Sequence, residues 1–206
     1  MPQSYYITDR HSSSRPIADQ IQIAIEAGVD YVQIREKDLS ARELFELAVL
    51  ARMLAQKHDT RILINDRLDI ALAAGLNGIH LGQQSIAPAV VRARVSREDF
   101  LIGVSIHSLE ELQNSLGQGV SYFAFGPVYF TPSKSRYGFP LGTEKLREAC
   151  NFSVVPVLAL GGINRQNYSE CLSMGAAGIA GISLFQNNRE FVATIVREIR
   201  EAESTG

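Results

Sequence analysis

Two cysteines, Cys150 and Cys171, are all the thiols the sequence offers. That number argues against a disulfide framework, and no CxxC pair is present to hold a metal. Both read as small buried apolar residues of helices. An excess of one charge is lacking too: Lys and Arg total 20, Asp and Glu 22, for a net charge of −2. Such a balance gives no electrostatic case for a nucleic acid or an anionic membrane as partner. Any anionic ligand must therefore be met by a local cluster. No apolar run approaches the roughly 20 residues of a membrane helix. The N-terminus has no signal core before a strand candidate around Tyr5. A cytoplasmic setting is the expectation. Also absent is a GxGxxG turn after the first strand, which leaves an open dinucleotide-binding sheet without support.

What is present is an alternation of strand and helix, eight times over. Strand candidates lie at 4–8, 31–35, 61–65, 78–81, 101–105, 122–125, 155–160 and 178–182. Most are short and apolar on both parities, as in strands covered on both sides. Between them run amphipathic stretches. The segment 41–57 carries Leu44, Leu47, Leu50 and Leu54 at helical spacing. Ser40 with Glu43, and Ser108 with Glu111, each predict a capping box. The phrases around Gly28, Gly75 and Gly175 resemble one another, as expected of a unit repeating every 20–30 residues or so. Eight units in 206 residues predict a single (β/α)8 barrel domain over 1–206, near the lower size limit of that fold.

In such a barrel the active site sits at the C-terminal ends of the strands. Polar residues concentrate there. The second strand runs into Gln33-Ile34-Arg35-Glu36-Lys37, with Arg35 and Lys37 two apart and expected on one face. Together with Lys134 they predict a clamp for a diphosphate, Arg as a bidentate fork and Lys as a point charge. Asn65 adds a neutral donor. Asp66 reads either as a Mg²⁺ ligand or as the N-cap of a helix over 67–74, and both readings stay open. His80 and His107 are candidates for ligand contact or for packing, His107 leaning to the latter. Gly161-Gly162 after strand seven and Ser183 after strand eight suit a phosphate held by backbone N–H groups. Tyr137 and Phe139, in the long 130–140 loop, are candidate lid residues.

In chain order stand Gln33-Ile34-Arg35-Glu36-Lys37, Asn65-Asp66, Gly78-Ile79-His80-Leu81-Gly82-Gln83, Gly103-Val104-Ser105, Gly126-Pro127-Val128-Tyr129, Thr131-Pro132-Ser133-Lys134 and Gly161-Gly162-Ile163. This series resembles thiamine phosphate synthase, and the related thiazole tautomerases share much of it. The resemblance implies a transferase that joins hydroxymethylpyrimidine diphosphate to a (carboxy)thiazole phosphate, with Mg²⁺ and release of diphosphate. It implies that Gln33, Arg35, Lys37, Asn65, Ser105 and Lys134 meet the pyrimidine diphosphate. Thr131, Ser133, Gly162, Ile182 and Ser183 would meet the thiazole phosphate. Small phosphorylated molecules are then the partners; a homo-oligomer stays open. One position departs from the family pattern: Ser85 stands where the second Mg²⁺-ligating Asp belongs, so a weakened metal site with Asp66 alone is expected. The tautomerases need no metal and also lack that Asp, but they carry a catalytic His where Pro127 stands here. A metal-free isomerase and a non-catalytic thiamine-precursor-binding relative are the alternatives.

Overall fold

The structure, a computed structural model, describes residues 1–131 and 139–202. Eight parallel strands close into a barrel in chain order: β1 Gln3–Ile7, β2 Tyr31–Ile34, β3 Arg61–Asn65, β4 Gly78–Leu81, β5 Leu101–Ile106, β6 Tyr122–Phe125, β7 Val157–Leu160 and β8 Gly178–Gly181. Closure is made by β1 against β8, with Gln3 opposite Gly178 and Tyr6 opposite Gly181. Helices alternate with the strands: α1 Ile17–Glu26, α2 Ala41–Leu54, α3 Leu68–Ala73, α4 Pro88–Arg92, α5 Leu109–Ser115, α6 Gly142–Phe152, α7 Tyr168–Ser173 and α8 Arg189–Glu201. No helix among the described residues is long and apolar enough to cross a membrane.

Two apolar clusters follow from the strand period of two. The larger lies between strands and helices and takes Tyr6, Val32, Ile34, Ile62, Ile64, Ile79 and their helical partners. The smaller fills the barrel with Tyr5, Ile7, Tyr31, Leu63, Tyr122, Leu158 and Ala180, and Ile182 packs against it. Gln33, Asn65, His80 and Ser105 share this inward parity near the C-terminal ends of their strands. The alternation that builds the core therefore also gathers the polar candidates at one mouth.

Local chemistry sets the element ends. Ser40 and Glu43 form the full capping box at α2. At α5 only half forms: Ser108 accepts from the Glu111 N–H, while the Glu111 carboxylate turns to the His107 N–H (2.7 Å) and to Gln83 (2.7 Å). β2 ends at Ile34, before Arg35. The same-face rule for a strand therefore does not govern Arg35 and Lys37, which lie on the loop beyond it. β7 begins two residues after the expected 155, because Pro156 offers no N–H to the ladder.

Candidate active site

Gln33, Asn65 and Asp66 are joined in one hydrogen-bonded run. Gln33 Nε2 donates to Asn65 Oδ1 at 3.3 Å, and Asn65 Nδ2 donates to Asp66 Oδ2 at 2.7 Å. The other Asp66 oxygen accepts from the Ser85 hydroxyl, whose own oxygen accepts the Gly82 N–H at 2.6 Å. Asp66 has φ +61°, the one positive value at a non-glycine among the described residues. Asp tolerates the left-handed region better than most residues, and such conformations collect at functional sites. The helix-cap reading of Asp66 is not what forms: the N-cap of α3 is Arg67, with no side-chain cap, and the Asp66 carboxylate points to Asn65 and Ser85 instead.

The family resemblance implies Mg²⁺, and the residues present can be tested for it. Among the described residues no group of three or more His, Cys, Asp or Glu is placed to hold a metal. Asp66 does supply one carboxylate, and Mg²⁺ on a diphosphate commonly takes one or two from the protein and the rest from phosphate and water. The donor set fits a cation carried by its ligand. Beside it the Ser85 hydroxyl is a neutral group.

Arg35 and Lys37 follow Gln33. Arg35 is half-buried with its N–H held by Thr8 Oγ1 at 2.9 Å, and Lys37 is exposed. Neither pairs with a carboxylate among the described residues. The intervening Glu36 is turned away and buried, with 2% side-chain exposure, accepting the Arg10 N–H at 3.2 Å and facing its guanidinium at 3.5 Å. Arg10 also grips Asp38 and, with His11 after it, holds that carboxyl well below the usual range. Arg10 thus consumes the acidic neighbours Glu36 and Asp38, and among the described residues no carboxylate pairs with Arg35 or Lys37. Sequence reasoning missed Arg10; the signal was an Arg just past the first strand.

His80 is buried, with Nε2 2.8 Å from Ser105 Oγ and Nδ1 3.1 Å from the Tyr122 hydroxyl. Tyr5 and Tyr122 were also missed. Their signal was a tyrosine at inward parity, since a buried phenol seeks a partner.

Opposite, Gly162 has φ +67°, and a Cβ there would lie 2.5 Å from the Phe130 carbonyl oxygen. Only glycine lets the loop after β7 lie this close to the loop carrying Tyr129, Phe130 and Thr131. No described acceptor takes the N–H of Gly162 or of Ser183. Thr131, Gly162, Ile182 and Ser183 therefore belong to the loops that follow β6, β7 and β8. Phe139 is 95% exposed. Ser133, Lys134 and Tyr137 lie outside the described residues.

A cleft of about 450 Å³ beside the mouth includes Ser85 and Ser105 in its lining. One of about 520 Å³ opens at the other end of the barrel, by Asp30, Thr60 and Arg200, away from all of these groups.

Comparison with known proteins bears on this arrangement. A family model described as thiamine monophosphate synthase matches residues 4–185. A putative thiamine-phosphate synthase of Geobacter sulfurreducens is 47% identical over 180 residues, 87% of this chain and 84% of that protein. The thiamine-phosphate synthase of Chlorobium phaeobacteroides is 38% identical over 177 residues, covering 86% of this chain and 84% of that one. The solved thiamine phosphate pyrophosphorylase of Pyrococcus furiosus superposes with a TM-score of 0.84 at 32% identity, covering 99% of this chain and 97% of its own. With a parallel barrel, a run of amides leading to Asp66, and family similarity over nearly its whole length, the chain belongs to the thiamine monophosphate synthase family.

Proposed function

We propose that this protein is a transferase that joins hydroxymethylpyrimidine diphosphate to a thiazole phosphate and releases diphosphate. The observation that carries the reading is the pair Arg35 and Lys37, without a carboxylate partner among the described residues, following in sequence the Gln33 that begins the Gln33–Asn65–Asp66 run. Two cations without carboxylate partners at a barrel mouth favour a polyanion over a neutral ligand. In this reading the pyrimidine CH2–O bond breaks and its electron pair leaves with the diphosphate. The thiazole nitrogen then donates its lone pair to the resulting pyrimidine cation. Arg35, Lys37 and Lys134 stabilise charge on the departing group, and Gln33, Asn65 and Ser105 hold the pyrimidine half. Thr131, Ser133, Gly162, Ile182 and Ser183 hold the thiazole phosphate, the glycine loop through backbone N–H groups. Asp66 would hold Mg²⁺, which when bound neutralises diphosphate charge.

The test is thiamine phosphate formation from the two substrates across a range of Mg²⁺. Arg35→Ala and Lys37→Ala should each weaken diphosphate binding about 10–100-fold, the worth of a charged hydrogen bond of roughly 1.5–3 kcal/mol. Substrate binding without turnover at any Mg²⁺ concentration would defeat the transferase reading and favour a sensor of thiamine precursors.

A second reading draws on Ser85, whose hydroxyl occupies Asp66 where a second carboxylate would serve a metal. Metal-independent isomerisation of the carboxythiazole phosphate, lost in His80→Ala, would establish it. A cytoplasmic setting with small phosphorylated partners, and with neither nucleic acid nor membrane, accords with the net charge of −2.

A further inference from the structure

The barrel interior contains polar contacts that no step of the proposed reaction uses. The hydroxyls of Tyr5 and Tyr122 are both buried and lie 2.8 Å apart. Tyr5 also reaches Gln33 Oε1 at 3.1 Å, and Tyr122 reaches His80 Nδ1 at 3.1 Å. Each contact joins the next, so the polar groups form one path across the barrel from Ser105 to Asp66.

The direction of that path can be derived from its end. A carboxylate only accepts, so Asn65 must turn its NH2 to Asp66 and its oxygen to Gln33. Gln33 then spends an N–H on Asn65 and turns its oxygen to Tyr5. A phenol has one proton, and Tyr5 must give its own to Gln33. The 2.8 Å contact between the two phenols still needs a proton, so Tyr122 supplies it. With its proton spent, Tyr122 can only accept from His80, which must carry hydrogen on Nδ1. In a neutral imidazole Nε2 is then an acceptor, and the Ser105 hydroxyl donates to it at 2.8 Å. The reverse tautomer would leave two phenol oxygens facing each other without a hydrogen between them.

Two further facts hold the path in place. A Cβ at Gly103 would lie 2.1 Å from the Tyr122 hydroxyl and from its ring, so the room for this phenol exists only because residue 103 has no side chain. Burial also pushes the Tyr5 and Tyr122 ionisations well up, which keeps both hydroxyls protonated.

We propose that Tyr5 and Tyr122 are positioning residues. Their paired hydroxyls pass hydrogen-bond polarity from Asp66 across the barrel, fix His80 as the Nδ1–H tautomer, and leave Ser105 Oγ with only lone pairs to offer a ligand. Ser105 therefore selects a hydrogen-bond donor on whatever lies against it. The assignment concerns the protein without ligand, so it stands or falls apart from the transferase reading.

Two-dimensional ¹⁵N–¹H NMR of the histidine rings tests it, at a pH where His80 is neutral, with His80→Gln for assignment. The wild-type protein should show His80 with hydrogen on Nδ1. Tyr5 shares no hydrogen bond with His80, and Phe keeps the ring that lies edge-on to the imidazole at 6.2 Å, yet Tyr5→Phe removes the acceptor of the Tyr122 proton; Tyr122 then donates to Nδ1 and the ring should change to the Nε2–H form. Tyr122→Phe should favour the same change, with Nε2–H donating to Ser105. An Nε2–H ring in the wild type, or an unchanged tautomer in Tyr5→Phe, would overturn the proposal. Because Phe preserves the ring volume, the barrel should still close. If Tyr122→Phe fails to fold, the wild-type and Tyr5→Phe spectra decide alone.

Discussion

In the proposed reading, in which Asp66 holds Mg²⁺, Ser85 sets how much of the cation's charge the protein balances by itself. Its hydroxyl donates to Asp66 and accepts from Gly82, so it steadies the carboxylate without adding a second one. Cation affinity at oxygen sites rises with the number of charged ligands. Ser85→Asp is expected to tighten Mg²⁺ binding in the presence of diphosphate by roughly tenfold, read by titration calorimetry. An unchanged affinity would mean that residue 85 does not reach the metal. The thiols behave oppositely to a reactive pair. Burial pushes Cys150 and Cys171 up to about 11, so neither is a thiolate near neutral pH. Neither should react with iodoacetamide at pH 7.5 in the folded protein, by mass spectrometry, and both should react in urea.

At the scale of elements, the mouth depends on loops more than on strand residues. Gly162 brings the loop after β7 against the loop after β6 at a φ that side chains rarely adopt. Gly162→Ala should cost about 1–3 kcal/mol from backbone strain alone and should raise the KM for the thiazole phosphate. A variant with unchanged melting and KM would show that the two loops are not held together here. The capping devices are unequal in a way the pattern did not reveal. Ser40→Ala breaks a complete box and should destabilise by about 1 kcal/mol, measured by urea unfolding. Ser108 and Glu111 look the same in sequence, but Glu111 spends its carboxylate on His107 and Gln83 because the end of β5 lies beside it.

The whole molecule responds to alkali through its buried phenols. Burial raises the Tyr5, Tyr6, Tyr31 and Tyr122 ionisations above the ordinary 10.0. A raised value in the folded state means that the folded protein keeps protons the unfolded chain would release. Their stabilisation is complete below pH 10 or so and is lost as pH rises through the folded values. Tyrosinate absorbance near 295 nm should therefore lag its free-tyrosine titration and then appear together with loss of circular dichroism. Smooth ionisation of these phenols near pH 10 with the fold intact would contradict their burial.

The barrel itself was legible in the sequence: eight short apolar runs alternate with amphipathic helices, as strands covered on both faces do, and no GxGxxG turn supports the open doubly wound alternative. The position of Gln33, Asn65, His80 and Ser105 at strand ends also gave the expectation that they gather at one mouth. What the sequence alone could not supply was pairing. It could not show that Arg10, near the first strand, would take Glu36 and Asp38, the carboxylates that flank Arg35 and Lys37 in sequence. Nor could it show that Asp66 would turn to Ser85 instead of capping a helix, or that Tyr5 and Tyr122, 117 positions apart, would meet. Local pattern determines which residues face inward, because that depends on each chain segment by itself. Only closure of the barrel decides which inward groups exchange hydrogen bonds, because those partners are brought together by the register of all eight strands.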